Sequence, residues 1–234
     1  MKKIGIIVDN PKRDLKGLIL LAYHLIKYDF KCYLIPMNLK DELWAITPDF
    51  VILNYLRKTN QRFVQKLIDA NIPYSVLDTE GGIVNWEKYI DYLASDYFLN
   101  NLIVYFSWGE KQKEKYIEQK LLKEKQILVT GNPRFDLYKK EYINIEKGTL
   151  PIKYLKNKYI LINTAFPLSN PKFKTLEKEK NMYINSFGWT KLEAENKFKD
   201  NYNSLNQIIN LVVNLSKKFK NQQFILRPHP FEDS

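Results

Sequence analysis

The fold is decided by the stretch "KIGIIVDNPKRDLKGLILLAYHLIKYDFKCYLIP", residues 3–36. Its apolar residues change period twice, because a short continuous run, Ile4–Val8, precedes a segment with helical spacing, Leu15–Tyr28. A second continuous run, Lys31–Pro36, follows directly. One face of the helical segment carries Leu18, Leu21, Ala22 and Leu25. A strand, a helix and a strand in this order favour two parallel strands joined by a crossover helix.

The same alternation continues along the chain. A predicted helix lies near Gln61–Ala70, and polar or helical segments separate four further apolar runs: Phe50–Leu53, Tyr74–Leu77, Leu102–Phe106 and Ile127–Thr130. Continuous apolar strands that alternate with helices are typical of parallel sheets buried on both faces. The sequence therefore predicts an α/β fold with a doubly wound, Rossmann-type first domain over residues 1–145.

A second domain is predicted over residues 146–234. A linker-like segment with Gly, Pro and charge, Asn144–Lys158, leads to a strand, Tyr159–Asn163, and the final strand is Gln223–Arg227. Between these strands lies an amphipathic helix with apolar residues at helical spacing: Leu205, Ile208, Ile209, Val212, Leu215 and Phe219. One such unit is smaller than a doubly wound domain. We therefore expect the start of a second Rossmann-like domain, cut short.

The charge narrows the classes of partner. The chain has 37 Lys and Arg against 26 Asp and Glu, a formal net charge of +11. Most of the excess is lysine dispersed along the chain, which a lysine-rich composition in general also explains. Arg is scarce and forms no tight cluster, so no nucleic-acid partner is predicted. An anionic substrate or an anionic membrane surface remains compatible with the charge.

Other classes are excluded by what the sequence lacks. One cysteine, Cys32, cannot form a disulfide framework and favours a reducing compartment. No apolar stretch approaches the ~20 residues of a membrane span, so we expect a cytoplasmic protein. The two histidines, His24 and His229, are too distant in sequence for the usual zinc patterns. Without a GxGxxG, Walker or nucleophile-elbow motif, no cofactor is predicted.

Polar stretches follow the predicted strands, where parallel sheets bind ligands. From the strand-end loops of the first domain come four candidate acceptor-binding residues: Asn10, Arg13, Asn54 and Gly81. The stretches are "DNPKRD", "NYLRK", "DTEGG", "SWGEKQ" and "GNPRFD", followed by "NTAFPLSN" and "RPHPFED" in the second domain. "GNPRFD" supplies Arg134, for which an ion pair or a helix cap is expected. Trp108, in "SWGEKQ", is expected to pack in the core.

Of these loops, "DTEGG", residues 78–82, has the residues that most clearly suggest a catalytic role. Asp78 and Glu80 stand two residues apart, before two glycines that allow a close backbone approach. A carboxylate at a strand end can act as a general base towards a hydroxyl group. The loop can equally be an acidic cap of the next helix.

"RPHP", residues 227–230, is the second loop whose residues suggest a function. Prolines on both sides of His229 restrict the backbone, so the direction of the imidazole is set by a stiff loop. Arg227 and His229 can both reach phosphate or carboxylate oxygens. A plain surface turn is the alternative. His24, in the amphipathic helix, is expected to have a packing role.

Six stretches occur together in an order that resembles a known family. They are "VDNPKRDLKGLILLAYHL", "DTEGG", "FSWGEKQKEKY", "VTGNPRFDLY", "ILINTAFPLSN" and "ILRPHPFED". The chain resembles bacterial surface carbohydrate biosynthesis proteins, which are glycosyltransferases of the GT-B fold related to enzymes that use CMP-activated Kdo or sialic-type sugars. The resemblance implies a metal-independent transferase of surface polysaccharide, lipopolysaccharide or capsule synthesis.

The resemblance also implies roles for individual residues. Glu80, with Asp78 as the alternative, matches the general base of the N-terminal domain. His229 and Pro230 match a His-Pro motif that contacts the donor nucleotide phosphate, with Arg227 nearby. Two more residues, Asn163 and Thr164, match the turn after the first strand of the C-terminal domain, which faces the interdomain cleft, and are expected to bind the donor nucleotide. The implied partners are a nucleotide sugar and a glycan or lipid-linked glycan acceptor, the latter at an anionic inner membrane face.

Three alternatives stay open. The first is a transferase of polyol phosphate from CDP-glycerol, which shares a His-Pro signature. The second is a UDP-sugar 2-epimerase, which is also GT-B-like and has a "VTGN" stretch, present here at residues 129–132. The third is a truncated, non-catalytic relative that binds glycan.

Overall fold

A computed structural model describes residues 1–81, 86–142 and 158–233. The chain divides into two compact units, Met1–Thr149 and Leu150–Ser234. Each unit has its own sheet. The predicted domain boundary at residues 145 and 146 lies outside the described residues, as does the linker up to residue 157.

The first unit contains a parallel sheet with the strand order β2-β1-β3-β4-β5-β6. Every neighbouring pair is parallel, and Ile4 in the central part of the sheet lies between Cys32 of β2 and Phe50 of β3. The strands are β1 (Lys3–Val8), β2 (Lys31–Pro36), β3 (Phe50–Leu53), β4 (Tyr74–Leu77), β5 (Tyr105–Ser107) and β6 (Ile127–Val129). The predicted doubly wound sheet is therefore confirmed.

Helices connect these strands and cover the sheet. They are α1 (Pro11–Lys27), α2 (Leu43–Ile46), α3 (Gln61–Asp69), α4 (Trp86–Tyr92), α5 (Asp96–Asn101), α6 (Glu110–Glu118) and α7 (Pro133–Asp136). Short 3-10 turns add Met37–Glu42, Lys58–Asn60 and Glu124–Gln126. Among the described residues of both units, no helix combines the length and the apolar character that crossing a bilayer requires.

The alternation of side chains along β1 explains the two layers of the core. Ile6 and Ile7 are adjacent in sequence, are almost fully buried, and belong to different hydrophobic clusters. One cluster joins β1 to α1 and contains Ile4, Ile6, Val8, Leu18, Ala22, Ile52 and Leu77. The other joins β1 and β3 to α3 and includes Ile7, Val51, Leu53, Phe63, Val64 and Leu67. The sheet is thus held rigidly between layers, and its strand ends are fixed in position.

Two predicted boundaries were wrong. The first helix begins at Pro11 rather than Leu15, because the Asn10 side chain caps it by accepting a hydrogen bond from the Lys12 amide at 3.0 Å. The fifth strand begins at Tyr105 rather than Leu102. Leu102 is 3% exposed but ends α5, and its carbonyl accepts a 3.0 Å hydrogen bond from Gln126. Its apolar neighbourhood is therefore a buried turn, which periodicity alone does not distinguish from a strand.

The second unit contains two parallel strands, β7 (Tyr159–Asn163) and β8 (Gln223–Arg227). Between them lie α8 (Leu176–Phe187) and α9 (Lys191–Lys218). A capping box begins α9, since the Glu193 amide donates to Thr190 Oγ1 at 3.2 Å and the Thr190 amide donates to Glu193 Oε2 at 2.8 Å. Both predicted strands and the long amphipathic helix between them are confirmed.

Candidate functional site

Charged side chains converge at the carboxyl ends of three neighbouring strands of the first unit. Asp9 and Arg13 follow β1, Arg57 follows β3, and Asp78 and Glu80 follow β4. Arg13 pairs with Asp9 at 2.7 Å, and both arginines reach Glu80. We call these five residues the strand-end cluster. The position agrees with the rule that ligands of parallel sheets bind at the carboxyl ends of strands.

Glu80 lies between the two arginines of the strand-end cluster. Arg13 Nη1 donates to Glu80 Oε1 at 3.2 Å, and Arg57 Nη1 donates to Oε2 at 2.8 Å. Partial burial opposes ionisation of the carboxyl, but the hydrogen bonds and charges of Arg57 and Arg13 outweigh it and bring the pKa of Glu80 below its ordinary value. The side chain is 49% exposed. Glu80 is therefore an ionised carboxylate that a ligand can reach.

Asp78 is held in a different way from Glu80. It is 1% exposed, and its Oδ2 accepts hydrogen bonds from Tyr89 at 2.7 Å and Tyr105 at 3.1 Å. Its Oδ1 accepts from the Glu80 amide at 2.8 Å and lies 3.5 Å from Arg57 Nη2. Both oxygens are thus occupied, and Asp78 positions Arg57 and the Glu80 backbone. Its alternative role as the catalytic base stays a prediction, and the placement favours Glu80.

Three buried tyrosines form a hydrogen-bonded group with Asp78. Tyr116 donates to Tyr105 at 3.0 Å, and Gln112 Nε2 donates to the same hydroxyl at 3.2 Å. Burial, followed by the nearby charge of Asp78, raises the pKa of Tyr89 and Tyr105 above the ordinary value, and burial is also the main reason for the raised pKa of Tyr116. The phenols therefore stay neutral; Tyr89 and Tyr105 donate hydrogen bonds to the Asp78 carboxylate, and Tyr116 donates to Tyr105. Sequence reasoning missed them, because they lie on α4, β5 and α6 within ordinary apolar patterns.

The four predicted acceptor-binding residues have different surroundings. Arg13 belongs to the strand-end cluster, whereas Asn10 caps α1. Asn54 is 2% exposed, and neither of its amide atoms has a hydrogen-bond partner among the described residues. Gly81 is packed so tightly that a Cβ would lie 2.6 Å from Gln112 Nε2. Their predicted contact with an acceptor stays a prediction.

The loop after β6 closes one side of this site. Arg134 Nη1 lies 3.4 Å from Asp14 Oδ1 and donates to the Thr79 carbonyl at 3.2 Å, so Arg134 forms an ion pair with Asp14, while Asp136 pairs with Lys139. The Arg134 guanidinium lies 4.6 Å from the centre of the Trp108 ring. Trp108 in turn donates its indole N–H to the Asp78 carbonyl at 2.6 Å. The indole therefore joins the loops after β4, β5 and β6 rather than only filling the core.

The predicted nucleotide-binding residues of the second unit lie at the carboxyl ends of β7 and β8. Arg227 donates through Nε to Asn163 Oδ1 at 2.8 Å, and its carbonyl accepts from the Thr164 amide at 3.1 Å. Pro230 is exposed, and His229 is half-buried. The structure brings these residues together in one loop pair. Contact with a nucleotide stays a prediction.

Glu232 organises this loop pair, and sequence reasoning did not single it out. The side chain is buried and accepts hydrogen bonds from Thr164 Oγ1 at 2.7 Å, the Phe166 amide at 2.7 Å and the His229 amide at 3.1 Å. The Phe231 amide donates to His229 Nδ1 at 3.3 Å, which leaves the proton of the neutral imidazole on Nε2. His229 thus presents an N–H donor from a loop that a buried carboxylate holds.

Metal ligands do not cluster in the described part of the chain. No group of three or more His, Cys, Asp or Glu residues there could hold a metal ion. The carboxylates of Asp9 and Glu80 pair with the guanidinium groups of Arg13 and Arg57.

Comparison with known proteins gives a fold and no family. No family model matches the chain, and no curated protein matches its sequence. The structure of UDP-GlcNAc 2-epimerase from Methanocaldococcus jannaschii superposes with a TM-score of 0.60 at 13% identity, over 97% of this chain and 66% of that one. S. aureus MnaA in a co-structure with UDP gives 0.61 at 12% identity, over 98% and 63%. UDP-GlcNAc 2-epimerase from Neisseria meningitidis bound to UDP-GlcNAc gives 0.56 at 13% identity, over 97% and 66%.

These similarities confirm the predicted GT-B-like α/β fold. At 12 to 13% identity they carry the fold alone, and this chain spans less than two thirds of the length of each of these structures. Two of the three structures, those from Methanocaldococcus jannaschii and Neisseria meningitidis, are of UDP-GlcNAc 2-epimerases, the enzyme class that the sequence left as an alternative. None of the three is named as a CMP-dependent transferase, which was the leading prediction.

Proposed function

We propose that the chain binds a UDP-sugar and takes part in its 2-epimerisation. The observation that carries this proposal is the GT-B-like fold shared over 97% of the chain with a UDP-GlcNAc 2-epimerase bound to UDP-GlcNAc. In each unit, polar groups collect at the carboxyl ends of parallel strands, where this architecture receives ligands. Activity towards UDP-sugars would connect the chain with the synthesis of carbohydrate precursors.

The second unit has the chemistry for the nucleotide diphosphate. Arg227 is an exposed cation at the end of β8, and Asn163 orients it through its Nε. His229 adds an N–H donor, and its loop is held by Glu232. Guanidinium and imidazole donors on a stiff loop suit phosphate oxygens, because little conformational freedom is lost on binding.

The first unit has the chemistry for proton transfer. Inversion at C2 breaks the C2–H bond on one face of the sugar and re-forms a C2–H bond on the other, so a proton must leave and a proton must return. Glu80 is ionised at neutral pH and half-exposed, and therefore can receive a proton from a ligand. Arg13 and Arg57 stabilise its charged form, which keeps it ready to accept rather than to donate.

A glycosyltransferase is the second candidate, since the same carboxylate could deprotonate an acceptor hydroxyl. The observation that favours it is that Glu80 is the reachable acid of the loop in which the sequence resemblance places a general base. In that case the donor would be a CMP-activated sugar, and the partner a glycan or lipid-linked glycan acceptor at an anionic membrane face. Two further alternatives are a transferase that uses CDP-glycerol as the donor and a non-catalytic protein that binds glycan. The experiments below distinguish these alternatives from the epimerase.

Calorimetric titration of the chain with UDP-GlcNAc, UDP, CMP and CDP-glycerol tests the nucleotide. We expect UDP and UDP-GlcNAc to bind, and the Arg227→Gln substitution to weaken both by about tenfold or more, because one charge-assisted contact to phosphate is lost. The matched control is Arg62→Gln, which changes an exposed arginine on α3 of the first unit and which we expect to bind as the parent does. Binding of CMP or CDP-glycerol without binding of UDP would overturn the epimerase proposal.

Proton NMR in D₂O tests the reaction. An epimerase exchanges the C2 hydrogen of UDP-GlcNAc for deuterium from the solvent, whereas a glycosyltransferase leaves C2 untouched. We expect exchange at C2 that the Glu80→Gln substitution abolishes while UDP binding remains. Full exchange in Glu80→Gln would remove Glu80 from the reaction, and release of CMP from a CMP-sugar would favour the transferase.

A further inference from the structure

A basic cavity lies between α1 and α7, beside the strand-end cluster and entirely within the first unit. Its volume is about 380 Å³, which falls in the range of small-molecule sites. The lining residues are Lys12, Arg13, Lys16, Arg134, Phe135, Leu137 and Tyr138. Four of them are cations, and no Asp or Glu lines the cavity. Such a lining attracts an anion.

The positions of the cations oppose the ordinary electrostatics of a helix. Lys12 and Arg13 lie in the first turn of α1, where the helix dipole already carries a partial positive charge and a cation is unfavourable. Arg13 is compensated by Asp9 and Asp14, but the Lys12 ammonium makes no ion pair with any described residue. The cations therefore cost helix stability locally, and the positive potential they add to the helix terminus points to an anionic ligand.

The two guanidinium groups are held in place before any ligand binds. Asp14 is 4% exposed and contacts both of them, Arg13 Nε at 2.9 Å and Arg134 Nη1 at 3.4 Å. Arg134 is also fixed by its contact with the Trp108 ring. Preorganised donors lose little freedom on binding, which favours a specific site over a diffuse charged surface.

Aromatic side chains form the other wall of the cavity. Phe135 is 48% exposed and Tyr138 is 76% exposed, although both are large apolar groups. Trp108 meets Phe135 edge-to-face, with 5.3 Å between the ring centres, and so fixes its orientation. Exposed, oriented rings beside cations provide an apolar surface for a ligand that has both a ring and a negative charge.

We propose that this cavity binds a sugar phosphate, with the phosphate at Lys12 and Lys16 and the sugar ring against Phe135 and Tyr138. Lysine ammonium groups bind phosphate as compact point charges, and the aromatic rings cover the C–H face of a hexose. The inference goes beyond the proposed function, which assigns the nucleotide to the second unit. The ligand here is a separate anionic sugar, such as an acceptor or an effector.

The test is a titration of the chain with glucose 6-phosphate, followed by calorimetry and by tryptophan fluorescence, because Trp108 lies against both Arg134 and Phe135. We expect binding that glucose does not reproduce and that inorganic phosphate reproduces only weakly. The double variant Lys12→Gln/Lys16→Gln should weaken binding by about tenfold or more. The matched control, Lys111→Gln/Lys125→Gln, removes two exposed lysines elsewhere in the same unit and should leave the affinity unchanged.

Four other outcomes would each overturn the proposal. Equal weakening in both double variants would show a general charge effect, and unchanged affinity in Lys12→Gln/Lys16→Gln would place the ligand elsewhere. Equal affinity for inorganic phosphate and glucose 6-phosphate would remove the sugar contact. Displacement of glucose 6-phosphate by UDP would mean that both ligands bind at one site. A chain that fails to bind UDP but binds glucose 6-phosphate in this pattern would refute the proposed function and leave this inference standing.

Discussion

Strands β1 and β7 have similar sequences and opposite environments. Both are parallel strands rich in Ile, Leu or Val, "KIGIIV" and "YILIN". In β1, Ile6 is 0% exposed and Ile7 is 2% exposed, whereas in β7 Ile160 is 45% exposed and Leu161 is 40% exposed. An apolar run thus specifies the strand, but the layers packed on the sheet decide how much free energy that strand contributes.

The same contrast extends to the two candidate sites. In the first unit, the strand-end cluster rests on a sheet with hydrophobic layers on both faces and on three buried tyrosines. In the second unit, the His229 loop is ordered mainly by polar contacts to one residue, Glu232. Geometry is therefore fixed by packing in one unit and by a hydrogen-bond network in the other.

A matched pair of leucine substitutions should give the largest difference between the units. Leu53→Ala in β3 removes a side chain that is 1% exposed, and we expect the free energy of unfolding to fall by about 2–5 kcal/mol. Leu161→Ala in β7 makes the same chemical change at a 40% exposed position, and we expect a loss of about 1 kcal/mol or less. Urea denaturation followed by circular dichroism measures both. Equal losses would mean that β7 is covered in solution.

The sequence predicted the parts of this molecule that depend on local patterns. Burial on both faces of a parallel sheet produces continuous apolar runs, so five of the strands in the first unit could be located from Ile4–Val8 onward. The fifth strand was misplaced because Leu102 is buried in a turn. Glu80 was found because two glycines and a strand end mark its loop.

Other parts of the site could not be predicted, since they depend on side chains that are distant in sequence. Arg57 becomes important only because β3 lies beside β4, which brings its guanidinium 2.8 Å from a Glu80 oxygen. Tyr105 and Tyr116 look like core residues until the fold places them around Asp78. Glu232 lies in a loop that was predicted to bind a ligand. Its contact with Thr164, however, joins two strand ends that only the folded sheet brings together.

A glycine substitution should give an intermediate effect and sharpen the description of the first unit as tightly layered. An added Cβ at Gly17 would lie 2.5 Å from the Arg134 amide nitrogen, so α1 and α7 could not keep their distance. Alanine normally stabilises a helix interior by about 1 kcal/mol over glycine. We nevertheless expect Gly17→Ala to destabilise by about 1–3 kcal/mol, because the contact is with backbone that cannot rotate away.

Thermal or urea denaturation measures the loss in Gly17→Ala. The matched control is Gly109→Ala, where nothing lies within 4 Å of the added Cβ, and where we expect a change of only a few tenths of a kcal/mol, roughly the cost of a poorer N-cap. A stabilised Gly17→Ala variant would show that α7 moves freely against α1. The basic cavity between these two helices would then lack a defined shape.

The smallest expected effect is a pH dependence in the strand-end cluster. The pKa of Glu80 is lowered in the folded protein, so its ionised form adds stability above the ordinary value of 4.5, and this stability is lost as the pH falls through the lower, folded pKa. The side chain is half-exposed, so we expect Glu80→Gln to cost under about 1 kcal/mol at pH 7. Urea midpoints at pH 7 and pH 3 should show a difference between parent and variant that shrinks on acidification.

Glu195→Gln provides the counterpart in the second unit. Glu195 is 46% exposed, close to the exposure of Glu80, but it meets a single lysine, Lys180, at 3.8 Å. Since Glu80 is bound by two guanidinium groups at 3.2 and 2.8 Å, its substitution should cost more at pH 7 than that of Glu195. A difference for Glu80→Gln that grows on acidification would contradict the lowered pKa. It would also mean that Arg13 and Arg57 hold a protonated carboxyl, which could then donate a proton to a ligand instead of accepting one.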